Sequence, residues 1–160
     1  MSLADRVRHP DFLQRVMSAE EAAALVPSGA NVGMSGFTGA GHPKTLPQAI
    51  ARRAKAEHAA GKPYKINVWT GASTAPELDG SLAEAHAIGQ RLPFNTDPTA
   101  RNAINAGEID FIDMHLSHVA QQAWFGFLGP LHIAVIEVLG VTADGLLIAA
   151  TSVGNNKTWL

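Results

Sequence analysis

The chain has 160 residues, enough for one domain with a hydrophobic core, and its 12 basic and 14 acidic residues leave a formal net charge of -2. This balance argues against a nucleic-acid partner, and the absence of cysteine excludes a disulfide framework and a thiolate nucleophile. Because the N-terminal residues carry no apolar signal core and the longest apolar stretch, near 133–141, is interrupted by Glu137, we expect a cytoplasmic protein without membrane contact.

The first half of the chain predicts alternating helices and strands. The segment Ser18-Ala-Glu-Glu21 is a capping box that indicates the start of a first helix, which Pro27-Ser-Gly29 ends. Four elements follow in chain order: a buried strand over 30–35, a helix over 45–61, a strand over 65–70 and a short helix near 81–88. Small residues over 71–76 form the loop after the second strand. The order strand, small-residue loop, helix therefore occurs twice.

The second half continues this alternation. Thr96 or Asp97 caps a helix that Gly107 ends. Further strands are predicted over 111–114, 133–139 and 146–151, and the last two flank a turn with Asp144-Gly145, so they form a hairpin or neighbouring strands. The whole pattern predicts an α/β layer structure with a largely parallel sheet. Ligands bind such sheets outside the carboxyl ends of the strands.

A glycine-rich stretch, GMSGFTGAGHPK over residues 33–44, joins the first predicted strand to the second helix; it is called the glycine loop below. Gly36, Gly39 and Gly41 give G-x-x-G-x-G, the reverse of the dinucleotide-binding fingerprint, and an inserted His-Pro pair disrupts the spacing of a P-loop. Two interpretations stay open. Either the glycines let the backbone approach a ligand beside a helix N-terminus, or they form a tight connection without a ligand.

Hydroxyl side chains mark two other places at the expected ligand-binding edge. Ser73 and Thr74 follow a strand directly, and Thr96 with Asp97 opens a helix. Such hydroxyl groups can donate to a carboxylate or a thioester oxygen. Turn and cap chemistry explains the same residues without a ligand, so both interpretations are kept.

The segment Asp113-x-His115-x-x-His118 is a candidate metal site, because imidazole and carboxylate groups are ligands for zinc or iron. No further ligand is spaced to complete the set, and surface or hydrogen-bonded histidines explain the pattern equally. The chain also lacks the G-x-S-x-G motif of a serine nucleophile. By spacing alone the sequence supplies a binding platform and no complete catalytic set.

Five segments have a pattern in common with one known family: SGFTGAGHPK (35–44), TGAST (70–74), PFNTD (93–97), RNAINAGEIDFIDMHLSHVAQ (101–121) and TADGLLIAATSVGN (142–155). Together they resemble the N-terminal domain of the acetyl-CoA hydrolase and succinyl-CoA:acetate CoA-transferase family. His42 departs from the family pattern, which has an aromatic residue there. The resemblance implies a three-layer α/β fold of the CoA-transferase type with an open, mostly parallel sheet. It also implies two similar domains with the acyl-CoA site in the cleft between them.

The resemblance carries a mechanism with it. It implies that a glutamate of the second domain attacks the thioester, forming an acyl-glutamyl anhydride and then a glutamyl-CoA thioester. Coenzyme A thioester is therefore expected as a substrate, with a small carboxylate as the other, and no permanently bound cofactor is expected. Whether water or a carboxylate completes the reaction stays open. The residues that the resemblance assigns to the substrate pocket are Ser73, Thr96, Gly36, Gly39, Gly41 and Gly71.

The resemblance makes residues 1–160 an apparently truncated N-terminal domain that lacks the catalytic glutamate and is inactive alone. The face that meets the missing C-terminal domain is then expected to be exposed and apolar, which predicts a homo-oligomer. Two alternatives stay open. One is a free-standing α/β domain that binds a nucleotide or another anion without catalysis. The other is a metal-dependent hydrolase that uses Asp113, His115 and His118.

Overall fold

The computed structural model describes residues 2–160, apart from the side chain of Ser73. The strands are β1 (Asn31–Met34), β2 (Phe37–Thr38), β3 (Ile66–Trp69), β4 (Ala72–Ser73), β5 (Ile88–Leu92), β6 (Asp110–Phe111), β7 (Ile133–Val135), β8 (Val138–Val141) and β9 (Leu147–Ala149). The helices are α1 (Leu3–Arg6), α2 (Pro10–Gln14), α3 (Ala19–Ala24), α4 (Thr45–Ala59), α5 (Ser81–Glu84), α6 (Pro98–Asn105), α7 (Leu116–Trp124) and α8 (Asn156–Trp159). A π-helical turn, Pro76–Gly80, precedes α5.

The central sheet has five strands in the order β6-β5-β3-β1-β7, and every neighbouring pair is parallel. Two small sheets accompany it: β2 pairs with β4 in parallel, and β8 pairs with β9 in antiparallel. The prediction of an α/β structure with a mostly parallel sheet is confirmed. Because all five central strands run the same way, their carboxyl ends lie at one edge of the sheet.

Helices cover both faces of the central sheet. Alternate residues of a strand point to opposite faces, and β3 follows this rule: Val68 packs into a core with α3, α4, α5 and α6, whereas Trp69 packs with α7 and α8. Gly33 of β1 lies under Trp159 of α8, where a Cβ atom would come within 2.8 Å of the indole Cγ. Burial of each large apolar side chain contributes about 1.5–3 kcal/mol to such a core. The fold therefore has three layers.

The helix predicted near 81–88 is shorter than expected, and the prediction missed a strand. Helix α5 ends at Glu84, and the chain enters β5 at Ile88. The segment IGQRL contains a glycine, an amide and Arg91, which are uncommon in a buried strand. Arg91 is nevertheless fully buried, because the Asp79 carboxylate pairs with it. Local propensity could not reveal a strand that depends on this contact.

The single strand predicted over 133–139 is also corrected. It divides into β7, which lies beside β1 in the central sheet, and β8, which starts the hairpin with β9. Between them Glu137 accepts a hydrogen bond from Lys44 Nζ at 2.7 Å. The predicted hairpin itself is confirmed. Helix α7 occupies a segment for which the patterns predicted no helix.

Several other predicted elements agree with the structure, whereas the strand predicted over 111–114 is shorter and earlier than expected, because β6 covers only Asp110–Phe111. Ser18 accepts a hydrogen bond from the backbone N–H of Glu21 at 3.2 Å, which confirms the capping box of α3. Helices α4 and α6 and strands β1 and β3 lie within the predicted ranges, with ends that differ by one or two residues. Among the described residues, no helix is long and apolar enough to span a bilayer.

Candidate functional site

Loops from three adjacent strands, β1, β3 and β5, meet at the carboxyl edge of the central sheet. The short pair β2–β4 joins the first two loops, with Phe37 opposite Ala72 and Thr38 opposite Ser73. The second and third loops meet through Thr74 and Thr96. The edge at which the sequence predicted ligand binding is therefore a continuous surface of three loops.

The glycine loop folds tightly on itself. Phe37 and Ala40 exchange backbone hydrogen bonds of 2.9 and 3.0 Å. A Cβ atom on Gly36 would lie 2.5 Å from the backbone nitrogen of His42, and it would also overlap the carbonyl oxygen of Ala40. Gly41 has φ +69°, and a Cβ atom there would overlap the Ser152 carbonyl oxygen. Both positions thus require glycine for contacts within the chain, which supports the tight-connection interpretation of this loop.

The other two glycines that the resemblance assigned to the pocket wall differ from one another. A Cβ atom on Gly39 would meet nothing within 4 Å among the described atoms, so this position has free space in front of it. A Cβ atom on Gly71 would lie 2.8 Å from Ser35 Oγ. Ser35 Oγ is itself fixed, because it accepts a hydrogen bond from the backbone N–H of Asn155 at 2.8 Å. Gly71 therefore allows the second loop to pack closely against the first.

Helix α6 begins with a cap that the sequence left undecided between two residues. Asp97 is the N-cap: its Oδ1 accepts the backbone N–H groups of Thr99 at 2.9 Å and Ala100 at 3.0 Å. The hydroxyl of Thr96 is not needed for capping and turns toward Thr74 instead. Cap chemistry thus explains the aspartate, whereas the threonine hydroxyl has another role.

The contact between Thr74 and Thr96 joins the loops after β3 and β5. Their Oγ1 atoms lie 2.8 Å apart, and the backbone N–H of Thr96 also donates to Thr74 Oγ1 at 3.3 Å. Thr74 is half-buried and Thr96 is exposed. The backbone of Ser73 lies directly beside this pair, in β4, while its side chain is outside the described part of the structure. Sequence reasoning named both residues at this edge but did not predict that they would bond to one another.

An open cavity of about 650 Å³ lies at the same edge. Its lining combines Ala72 and Phe94, from the loops after β3 and β5, with the segment 113–116 that follows β6. Phe94 is 47% exposed, so an apolar ring is available to a ligand. The mixture of apolar side chains with Asp113 and His115 in this lining suits a small molecule with an apolar part and a polar head.

Two of the three candidate metal residues, Asp113 and His115, line this cavity, whereas His118 is not part of its lining. His115 is the N-cap of α7, and its Nδ1 accepts the backbone N–H of Ser117 at 3.3 Å. The rings of His115 and His118 lie 5.6 Å apart between centroids. Among the residues that the structure describes, no group of three or more His, Asp or Glu side chains is placed to hold a metal ion. The described geometry therefore gives no support to the metal-dependent alternative.

A family model described as the acetyl-CoA hydrolase/transferase N-terminal domain matches residues 1–160. The chain belongs to the acetyl-CoA hydrolase/transferase family. The family assignment that the five sequence segments suggested is thus confirmed, and it covers the whole chain.

Curated relatives of this family are similar over most of the chain. The propanoyl-CoA:succinate CoA transferase of Escherichia coli K12 is 45% identical, with coverage of 90% of this chain and 29% of that protein. The succinyl-CoA:acetate CoA-transferase of Clostridium kluyveri is 36% identical, with coverage of 97% and 28%. The acetyl-CoA hydrolase of Kluyveromyces lactis is 33% identical, with coverage of 99% and 31%. The chain spans less than a third of the length of these relatives.

Solved structures agree on the fold. The glutaconate CoA-transferase of Acidaminococcus fermentans superposes with a TM-score of 0.55 at 18% identity, covering 72% of this chain and 36% of that one. An acyl-CoA transferase of Escherichia coli O157:H7 gives the same TM-score and identity, covering 72% and 23%. The predicted CoA-transferase type of fold is confirmed by these neighbours.

His42 belongs to the glycine loop, and its side chain is buried, with 1% exposed. Neither ring nitrogen has a hydrogen-bond partner among the described residues, and Nε2 lies 3.8 Å from Glu77 Oε2. Burial lowers the pKa of His42, and the positive charge of Lys44 lowers it further; the carboxylates of Glu77, Glu137 and Asp79 oppose both effects. The imidazole is therefore neutral at neutral pH.

A buried ion pair that the sequence did not predict lies next to the loop that contains Thr74. Arg91 Nε donates to Asp79 Oδ1 at 2.6 Å, and both side chains are fully buried. Asp79 Oδ2 also accepts the backbone N–H of Ala75 at 3.3 Å, next to Thr74. Arg91 additionally donates to the carbonyl oxygen of Leu92. The local sequence does not predict this pair, because Arg91 lies in β5 and Asp79 lies in the π-helical turn.

Proposed function

We propose that this chain forms the N-terminal part of an enzyme that moves coenzyme A between small carboxylates, or that hydrolyses acyl-CoA. The observation that carries the proposal is the open cavity at the carboxyl edge, whose lining includes Ala72 and Phe94 from two loops that the contact between Thr74 and Thr96 joins. The family to which the chain belongs supports it. Relatives named CoA-transferases and acetyl-CoA hydrolases support the two versions of the reaction.

In this proposal the chain binds the carboxylate and acyl end of the substrates. A carboxylate only accepts hydrogen bonds, and hydroxyl groups can donate them. Thr96 and Ser73 donate to its oxygen atoms, and Phe94 with Ala72 contacts the short apolar part. The adjacent wall of the substrate pocket contains four glycines: Gly36, Gly39, Gly41 and Gly71. The free space in front of Gly39 leaves room there for the ligand.

The covalent steps need a nucleophile that we assign to the remaining part of the protein. A glutamate carboxylate attacks the thioester carbonyl and expels CoA thiolate, which leaves an acyl-glutamyl anhydride. The thiolate then attacks the glutamyl carbonyl, releases the first carboxylate and forms a glutamyl-CoA thioester. A second carboxylate reverses these steps to give the new acyl-CoA, whereas water gives hydrolysis. Coenzyme A is a substrate throughout and not a resident cofactor.

Two partners complete the proposal. The lengths of the relatives support a second, C-terminal domain that carries the glutamate and most of the CoA contacts. Self-association is supported by exposed apolar side chains of the β8–β9 hairpin and the residues after it; Leu146, Val153 and Leu160 are 64%, 48% and 78% exposed. Such surface is usually covered by protein.

The experiment that tests the proposal compares the isolated chain with the protein made from the complete reading frame that contains it. CoA transfer from succinyl-CoA to acetate and release of free CoA are both measured. We expect turnover by the complete protein and none by residues 1–160 alone. Turnover by the isolated chain would show that the nucleophile lies within it, and no turnover by either protein would refute the function.

A further inference from the structure

The pair of threonines at the site is held in place from two sides. The backbone N–H of Thr74 donates to the carbonyl oxygen of Thr38 at 3.2 Å, which anchors it to the glycine loop. Thr74 Oγ1 then lies 2.8 Å from Thr96 Oγ1 and accepts the backbone N–H of Thr96 at 3.3 Å. Thr74 is therefore the fixed member, and Thr96 is the more exposed one.

The number of protons in this pair determines what it can offer a ligand. Each hydroxyl has one proton to donate and two lone pairs to accept with. If Thr96 donates to Thr74, its proton is used inside the pair, and the exposed Thr96 hydroxyl presents only lone pairs to a ligand. If Thr74 donates to Thr96, the Thr96 proton is free for a ligand. A bound carboxylate, which only accepts, is compatible with the second arrangement alone.

We propose that Thr74 is a positioning residue: its hydroxyl donates to Thr96 Oγ1 and so directs the Thr96 proton toward a carboxylate substrate. This inference rests on the proposed function, because it assumes that the carboxylate binds at Thr96. Thr74 does not touch the substrate. It fixes both the backbone and the hydroxyl orientation of the residue that does.

Substitutions at Thr74 separate this role from simple packing. Thr74→Ser keeps the hydroxyl and both hydrogen bonds, whereas Thr74→Val keeps the shape and removes both. The hydrogen bonds that Thr74→Val removes correspond to about two- to tenfold weaker binding of a carboxylate. Thr99→Val is the matched control, because Thr99 contributes its backbone N–H to the α6 cap a short distance from the pair.

The experiment is a titration of the isotope-labelled 160-residue chain with acetate, followed through the amide signals of Thr96 and its neighbours by NMR. Acetamide, which has nearly the same shape but no charge, is titrated in parallel. Thr74→Ala serves as a second variant if Thr74→Val alters the fold. We expect acetate-specific shifts in the wild type, Thr74→Ser and Thr99→Val, and a dissociation constant two- to tenfold higher in Thr74→Val.

The outcomes distinguish the inference from the function on which it rests. Equal acetate binding by Thr74→Val and the wild type, together with a loss of binding in Thr96→Val, would overturn the positioning role and leave the carboxylate site in place. Acetate binding that is absent at Thr96, or unchanged in Thr96→Val, would overturn the inference and the carboxylate site together. Equal responses to acetate and acetamide would show that the pair does not select for a carboxylate and would also overturn it.

Discussion

Arg91 and Asp79 form an ion pair in which both side chains are fully buried, with a distance of 2.6 Å between Nε and Oδ1. The pair links β5 to the π-helical turn after the Thr74 loop. Taking two charges out of water is costly, and their mutual attraction offsets this cost only while both are present. The strand β5 and the loop that positions Thr74 therefore depend on the same contact.

Asp79→Asn tests this dependence. The substitution preserves the shape of the side chain but removes the Asp79 carboxylate charge that pairs with the buried Arg91, so we expect a loss of about 3–5 kcal/mol in the free energy of unfolding. Urea denaturation followed by circular dichroism measures it. The control is Arg52→Ala, which breaks the exposed pair with Glu20 and is expected to leave the unfolding midpoint near that of the wild type. Equal midpoints for Asp79→Asn and Arg52→Ala would contradict the account.

Two alanine substitutions in the glycine loop are expected to differ sharply. A Cβ atom on Gly36 would lie 2.5 Å from the backbone nitrogen of His42, so Gly36→Ala forces the loop apart and costs about 1–3 kcal/mol. A Cβ atom on Gly39 would meet nothing within 4 Å among the described atoms, and we expect Gly39→Ala to leave stability unchanged or slightly raised. Thermal unfolding of the two variants provides the comparison. A destabilised Gly39→Ala with a stable Gly36→Ala would show that the loop has another conformation.

The buried His42 makes stability depend on pH. Its folded pKa lies below the ordinary value of 6.5, because burial disfavours the imidazolium, so the unfolded chain takes up the proton first as pH falls. The free energy of unfolding therefore keeps its full value above pH 6.5, where His42 is neutral in both states. It decreases as pH falls from 6.5 through the folded pKa. Glu20 and Glu21, whose pKa values are lowered from 4.5 by hydrogen bonds, titrate below this window.

We therefore expect His42→Phe to reduce the loss of stability between pH 7.5 and pH 5.5, as measured by urea denaturation at both pH values. Phenylalanine keeps an aromatic ring at this position and cannot take up a proton. His86→Phe is the control, since His86 is exposed. The same pH dependence in His42→Phe and the wild type would exclude His42 as its source.

The apolar cleft of the hairpin is expected to mediate self-association. It has a volume of about 310 Å³ and is lined mainly by apolar side chains, including Val138, Leu147, Val153 and Leu160. Light scattering at increasing protein concentration should give a mass above that of a monomer for the isolated chain. Val153→Lys should shift the distribution toward monomer, because it places a charge in the contact. A wild-type chain that stays monomeric at high concentration would refute this prediction.

The sheet and the edge that carries the candidate site could be predicted because their signals are local. Hydrophobic segments, capping residues and small-residue loops alternate along the chain, and parallel connection places the loops at one edge. What the sequence could not supply were contacts between distant segments. Strand β5 was not predicted because it contains a charged residue, Arg91, whose partner Asp79 belongs to another element. The hydrogen bond between Thr74 and Thr96 connects two loops that are separated by a helix and a strand.

The glycine loop illustrates the same limit. Its glycine content predicted that the backbone makes a close contact with a ligand or with the chain itself. Which of these is the neighbour depends on the tertiary structure. At Gly36 and Gly41 the neighbour is the chain itself, through His42 and Ser152, whereas Gly39 faces free space. Only the folded structure shows that Gly36 and Gly41 are needed for contacts within the chain, whereas Gly39 has free space beside it.

The central claim is that Thr96 binds the small carboxylate that exchanges with acyl-CoA, and incorporation of radiolabelled acetate into acetyl-CoA tests it most directly. The protein from the complete reading frame is compared with its Thr96→Val and Thr99→Val variants at several acetate concentrations. We expect exchange by the wild type and Thr99→Val, and a Michaelis constant for acetate about tenfold higher in Thr96→Val, because a charge-assisted hydrogen bond is lost. Absence of exchange by the wild type, or an unchanged Michaelis constant in Thr96→Val, would contradict the claim.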